Sequence, residues 1–421
     1  MDGNSEDLLI EILLWLPVVS LLRSKAVCKL WRSIIENSDF IHRHATFEDS
    51  SSKLGNFIFQ YRPSHIFHRN FKPHFFVLSS SSRGDSQEEE DYGRWSYNNL
   101  GMSPHLSVCV VMAYPVPPQA KMVGSCHGIV CIHDPEPRDI ILWNPATKKF
   151  RCLPKSLPLL DEFGVILTEF VLFGFDCETH DYKVLQITFF DFDRELGITP
   201  PKRIQIYSLR SDSWKWCADA NLHSHCHKSI VQNQGRYLNG NYYLVGTNIH
   251  RDDESFWHCD VVLSFNFSTE SFRMIPGPCE SFCLDVVGGG DQGKIVCIKR
   301  CSSNSTSDVV YEVYGLNDYD YSCGATSADN NEYWWSILHR FTIYHPCGGL
   351  GYPPMAITKN GVIGFLCGIT GGLVLFVNFR TEMKDIEIID ASLDGLGDIF
   401  RGDLYKESLV SIDSAVHSSS Q

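Results

Sequence analysis

One short pattern recurs along this chain: an aromatic-bearing strand, a polar turn, then a second strand. Its copies are Leu142-Trp143-Asn144-Pro145-Ala146-Thr147-Lys148-Lys149-Phe150, the stretch from Ile206 to Trp214, the stretch from Ser264 to Phe272, and the stretch from Leu375 to Glu382. Val313-Tyr314-Gly315-Leu316 is a weaker fifth, followed later by Trp334-Trp335. The leading aromatics Trp143, Tyr207 and Phe265 stand 64 and 58 residues apart. A small sheet has two faces to bury and is not stable alone, so a repeat of roughly 50–60 residues with four strands predicts blades stacked radially. A β-sandwich also buries two sheets, but it has no reason to repeat one cadence.

A second unit alternates with the first. Tyr237-Leu238-Asn239-Gly240-Asn241-Tyr242-Tyr243 places an Asn-Gly pair between strands, and type I′ turns favour that pair because both central residues take positive φ. Thr358-Lys359-Asn360-Gly361-Val362 repeats it, and Ser125-Cys126-His127-Gly128-Ile129-Val130 resembles it with His before Gly. These units set a β-propeller domain over 120–400. Residues 49–119 read as a connector with two strands, Asn56–Tyr61 and His74–Leu78, and an acidic loop, 79–91, with almost no apolar content. Residues 401–421 read as a tail.

The start of the chain has a different period. Leu8, Leu9, Ile12, Leu13 and Leu16 recur at helical spacing and form an apolar stripe. Ser5 is placed to cap that helix, and Pro17 to close it. A short helix is expected around 20–23, and a third carrying Val27, Leu30, Trp31, Ile34 and Ile35. Segments of about 40 residues seldom bury enough surface to stand alone. Residues 1–48 are therefore expected either to cap the rest of the chain or to complete their core on another protein.

This opening resembles an F-box. The matching residues are Leu16-Pro17, Ser20-Leu21-Leu22, Val27-Cys28-Lys29 with Trp31, Ile34-Ile35 and the trailing Phe40. Where many members open with a Leu-Pro pair, Ser5-Glu6-Asp7 stands here. The segments Gly124–Ile132, Trp143-Asn144-Pro145-Ala146-Thr147, Phe173-Gly174-Phe175-Asp176, Asp181-Tyr182-Lys183-Val184 and Ser213-Trp214 resemble the F-box-associated domain of plants, a kelch-related β-propeller. The likeness runs from about Val123 to Ile388 and is close to the S-locus F-box proteins. The resemblance implies a small helical F-box followed by an all-β propeller of kelch type. It also implies a Skp-type adaptor as partner, and through it a cullin–RING ubiquitin ligase. The residues it assigns to adaptor docking are Leu8, Ile12, Leu13, Leu16, Pro17, Leu21, Leu22, Val27, Cys28, Trp31 and Ile34. Trp31 is expected to be the hot spot. The propeller would hold the protein target. The S-locus branch implies a pistil ribonuclease during self-incompatible pollination.

Charge bounds the partners further. The net charge is −14, and residues 1–48 account for only a small part of it. A surface this acidic disfavours nucleic acid and anionic membranes, because phosphate binding needs Lys and Arg to neutralise it. It suits a basic protein. The sixteen cysteines lie mostly in apolar runs, as in Val108-Cys109-Val110, and no basic, apolar leader precedes them. They read as buried and reduced, in a cytoplasmic or nuclear protein.

Several motifs point elsewhere and are outweighed. Gly288 to Gly293 fits a dinucleotide loop, but a strand-like run follows instead of a helix. Gly361 to Phe379 is 19 uncharged residues, yet its five glycines and Asn-Gly start favour two strands over a membrane helix. His223, His225 and His227 share one face of any strand, but no second ligand pair closes a zinc site. No catalytic elbow or phosphate loop occurs, so neither a cofactor nor a catalytic site is expected. The competing function is a propeller scaffold whose helices serve only as a cap.

Overall fold

A computed structural model describes residues 3–46, 56–63, 74–80, 106–111, 119–158, 166–190, 202–217, 235–251, 256–279, 281–287, 293–301, 308–317, 334–344, 354–357, 361–367, 373–378, 387–390 and 397–413. By internal contacts the chain divides into two units, residues 1–154 with 399–421, and residues 155–398.

The opening forms four helices: α1 Gly3–Leu14, α2 Val18–Ser24, α3 Lys29–Glu36 and α4 Ser38–Thr46. Helical geometry begins at Gly3, so Ser5 lies inside α1 and does not cap it. Pro17 does separate α1 from α2. It stands at the N-cap of α2 with ψ 152°, where its missing N–H costs nothing. The fourth helix was not expected from the period alone. Asn37 breaks the run with an extended backbone, and its Oδ1 accepts the amides of Asp39 at 2.7 Å and Phe40 at 3.3 Å.

Six four-stranded sheets follow among the described residues. The cadence read from the sequence falls at one place in them. Asp139–Asn144 with Lys149–Cys152, Lys202–Ser208 with Ser213–Trp216, and Phe256–Asn266 with Ser271–Pro276 are the third and fourth strands of consecutive sheets. The Gly-containing units fall on the first turn of a sheet, and His127 (φ 47°), Gly128 (φ 77°), Asn239 (φ 45°) and Gly240 (φ 79°) all take the left-handed region.

Many of the remaining turns share one recipe. An Asn, Asp or Ser ends the strand and accepts the next backbone amides, and a left-handed residue restarts the chain. Asn144 Oδ1 takes the amides of Ala146 and Thr147, Asp176 Oδ1 those of Glu178 and Thr179, and Asn266 Oδ1 those of Ser268 and Thr269. Lys148, His180 and Glu270 supply the positive φ.

The domain limits differ from the sequence reading. Asn56–Pro63, His74–Ser80 and Leu106–Val111 are not a connector. They form a sheet with Gly397–Leu404, the strand that the sequence split between domain and tail. Hydrogen-bond pairing between segments this distant leaves no local periodicity to read. The supposed membrane segment forms two antiparallel strands, Val362–Cys367 and Leu373–Asn378, and no described helix is long and apolar enough to cross a membrane. The Gly-rich loop joins Phe282–Val287 to its antiparallel partner Lys294–Cys301, as a hairpin requires. The histidine cluster at 223–227 and the acidic loop at 79–91 lie outside the described residues. The cysteines are less buried than expected: Cys126, Cys131 and Cys297 are buried, whereas Cys28, Cys152 and Cys177 are exposed.

Within residues 155–398, successive sheets meet through apolar faces. Leu172, Leu185, Ile187 and Ile206 of one sheet pack on Leu244, Leu263, Phe265 and Phe267 of the next. Val245, Val262 and Ile275 pack on Leu284, Val286 and Ile295 of the one after. A buried ion pair pins the first of these joints. Lys183 Nζ lies 2.8 Å from Asp176 Oδ2 and 3.1 Å from Glu270 Oε1, and donates to the Phe267 carbonyl at 2.9 Å.

Candidate docking site

The helical module closes most of its own core. Leu13, Leu14, Val18, Leu21, Ile34, Ile35 and Phe40 are buried together, and Leu409, from beyond the last strand, is buried among them. Of the two expectations for residues 1–48, a core closed within the chain describes this part of the stripe. Leu13, Leu21 and Ile34 fill that core, and Leu16 and Trp31 pack half-buried against it.

An apolar set remains outside. Leu8 is 62% exposed, Ile12 54%, Trp15 61% and Val27 64%. Leu22 is exposed as well, and so are Pro17 and Cys28. Leu8 and Ile12 stand four residues apart and share one face of α1, and Trp15 continues that spacing in the turn just past its end. Pro17 lies in the corner after α1, while Val27 and Cys28 lie in the corner before α3. The sequence reading missed Trp15, although its spacing from Ile12 carried the signal. A single exposed Leu needs no explanation, but a helix face of Leu, Ile and Trp left in water does.

Ion pairs and a side-chain cap link parts of the helical module. Glu11 of α1 meets Arg43 of α4 at 2.6 Å, and Lys25 meets Glu36 of α3 at 3.4 Å. Cys28 caps α3, its Sγ accepting the Trp31 amide at 3.5 Å. His44 is buried, which holds its imidazole below the ordinary pKa, and its Nε2–H donates to the Leu16 carbonyl at 3.0 Å. Leu8, Ile12, Trp15 and Val27 offer apolar contact to a partner. That arrangement suits binding a protein surface. Among the described residues no cluster of His, Cys, Asp and Glu could hold a metal ion.

Residues 5–43 match the F-box domain, and residues 112–314 match the F-box associated beta propeller domain. An F-box/kelch-repeat protein of Arabidopsis thaliana is 26% identical over 308 residues, covering 72% of this chain and 74% of the relative. Two further Arabidopsis thaliana proteins that carry the F-box name are 27% and 25% identical; they cover 70% and 75% of this chain, and 64% and 74% of their own lengths is covered. Among solved structures, a family 117 glycoside hydrolase of the marine bacterium Zobellia galactanivorans aligns with 87% of this chain and 89% of its own at a TM-score of 0.26 and 10% identity, too weak a likeness to bear on fold or activity.

Proposed function

We propose that this chain, which carries an F-box domain followed by an F-box-associated β-propeller domain, is the substrate-recognition subunit of a Skp–cullin–F-box ubiquitin ligase. The helices dock a Skp-type adaptor, the propeller binds the protein destined for ubiquitination, and other subunits carry out ubiquitin transfer. The observation that carries the reading is the exposed set Leu8, Ile12, Trp15 and Val27 on a helical module whose core is otherwise closed. Apolar side chains kept in water on a folded module supply the kind of contact that a protein interface buries.

The structure changes which substitutions test this. Trp31 is half-buried against the helical core, so Trp31→Ala would weaken the module itself as well as any interface. Val27 and Ile12 are exposed and outside that core. Val27→Asp and Ile12→Asp, made in the full chain, should each weaken adaptor binding by about tenfold or more and leave the thermal transition within about 1 kcal/mol of wild type. Titration calorimetry against the purified adaptor is the measurement. Wild-type affinity in the double variant would sink the docking assignment.

A second reading has an observation of its own. Leu409 closes the helical core from elsewhere in the same chain, as a simple cap on a scaffold protein would require. The same titration decides it, because a cap has no affinity for the adaptor. For the target, the net charge of −14 supports a basic protein. Likeness to the S-locus branch makes secreted pistil ribonucleases the class to test first. The expected signature is an affinity that falls steeply with added salt, and a salt-independent affinity would point to another target.

A further inference from the structure

We propose that Tyr405–Asp413 is a strap that joins the helical module and the second sheet, formed by Lys121–Cys126, Ile129–Asp134, Asp139–Asn144 and Lys149–Cys152, into one mechanical body, with Asn144 as its buckle. The strap runs on from the strand Gly397–Leu404, which is itself tied to the second sheet where the Ser125 amide donates to Asp403 Oδ2 at 2.9 Å. Tyr405 then packs among Met122, Val130, Ile132 and Trp143. Four residues on, Leu409 is buried in the helical core with Leu13, Leu21 and Ile35. One short segment therefore contributes side chains to both hydrophobic cores.

Asn144 holds it there. Its Nδ2 donates to the Ser408 carbonyl at 2.9 Å and to the Val410 carbonyl at 2.8 Å, one on each side of Leu409. Its Oδ1 caps its own turn through the amides of Ala146 and Thr147, at 3.0 and 3.3 Å. Both donors and the acceptor of one buried amide are in use, and only Asn presents that set at this length. Ser408 lies on Gly128, where an added Cβ would come within 2.4 Å of the Ser408 Cβ. Lys149 meets Asp413 at 2.5 Å, and Arg151 donates to the Ile412 carbonyl at 3.3 Å. From α4, the His42 ring lies 6.3 Å from His127, at the same turn. The rigidity of the docking helices is thus set by residues more than 350 positions downstream. The inference rests on the chain's own packing and stands whether or not an adaptor docks.

Asn144→Asp is the discriminating change. It keeps the shape and the turn cap, but turns two donated hydrogen bonds into a carboxylate facing two carbonyl oxygens. Leu409→Asp attacks the other anchor, and Leu409→Met keeps it. In the full chain, amide exchange of Leu13, Leu14 and Phe40 to Ala45 should quicken at least about tenfold in Asn144→Asp and Leu409→Asp, remain near wild type in Leu409→Met, and leave the strands Asn241–Arg251 and Phe256–Asn266 unchanged. Wild-type protection of the helices in Asn144→Asp would overturn the proposal. So would a loss of protection spread equally to those distant strands, since that reports general destabilisation. Should Leu409→Asp fail to fold, Asn144→Asp decides alone.

Discussion

Gly128 shows how much one missing side chain carries. Its φ of 77° is left-handed, and the position of its absent Cβ is taken by Ser408 and by the Lys406 carbonyl, at 2.4 and 2.5 Å. Both constraints act against Gly128→Ala, the backbone conformation and the contact with the strap. The expected cost is at least about 2 kcal/mol, read by denaturant unfolding. Gly240 has the same backbone, but its nearest neighbour is Cys177 Sγ at 3.6 Å, so Gly240→Ala should cost only the conformational part, about 1 kcal/mol. Equal losses at the two glycines would show that the strap does not press on Gly128.

At the scale of elements, the turns decide the order of strands and the joints decide their stacking. Lys183 illustrates the second. Burial pushes the Asp176 carboxyl up, but hydrogen bonds from Lys183, Ser268 and Thr179 outweigh it and hold it far below the usual carboxylate range. Lys183→Met would leave the buried Asp176 without its cation, and Glu270 with Lys215 alone among the described residues, 2.9 Å away. Breaking a buried pair from one side costs more than the pair itself contributes, so a loss of about 3 kcal/mol is expected in thermal unfolding. A Lys183→Met, Asp176→Leu double variant should recover much of it. No recovery would show that the ion pair is not the origin of the loss.

For the whole molecule, acid should act at the junction of helices and second sheet before it acts on carboxylates. Burial, with His42 and Lys406 nearby, pushes the His127 imidazole down to about 4, and burial lowers His44 as well. An unfolded histidine takes up its proton near 6.5, while these folded ones resist it, so the unfolded state binds more protons over that interval. Stability should be complete above about pH 6.5 and fall as the pH drops from there toward 4. Asp176, whose folded pKa is depressed, adds its loss only at lower pH, through the carboxylate range. His127→Asn tolerates a positive φ and removes the titration, so it should flatten the first part of the curve. An unchanged slope in melting temperature between pH 6.5 and 4.5 would contradict the assignment.

The amino-acid sequence by itself determined whatever depends on neighbours within a turn or a strand. The four-strand repeat, the Asn-Gly hairpins, the Pro17 break and the separation of helical start from β-rich remainder all follow from local dihedral preference and periodicity. The candidate docking segment was legible for the same reason, since helical spacing marks an apolar stripe. Which half of that stripe points inward was not. Leu13 and Leu21 are buried, while Ile12 and Leu22, one residue away from each, are exposed, and only the packing of four helices with Leu409 sorts them. The tertiary structure also decided that Gly397–Leu404 pairs with strands from the start of the chain, and that Asn144 fastens a segment numbered above 400. Those are contacts between residues hundreds of positions apart. Their energy comes from burial and hydrogen bonding in three dimensions, which leaves no period in one.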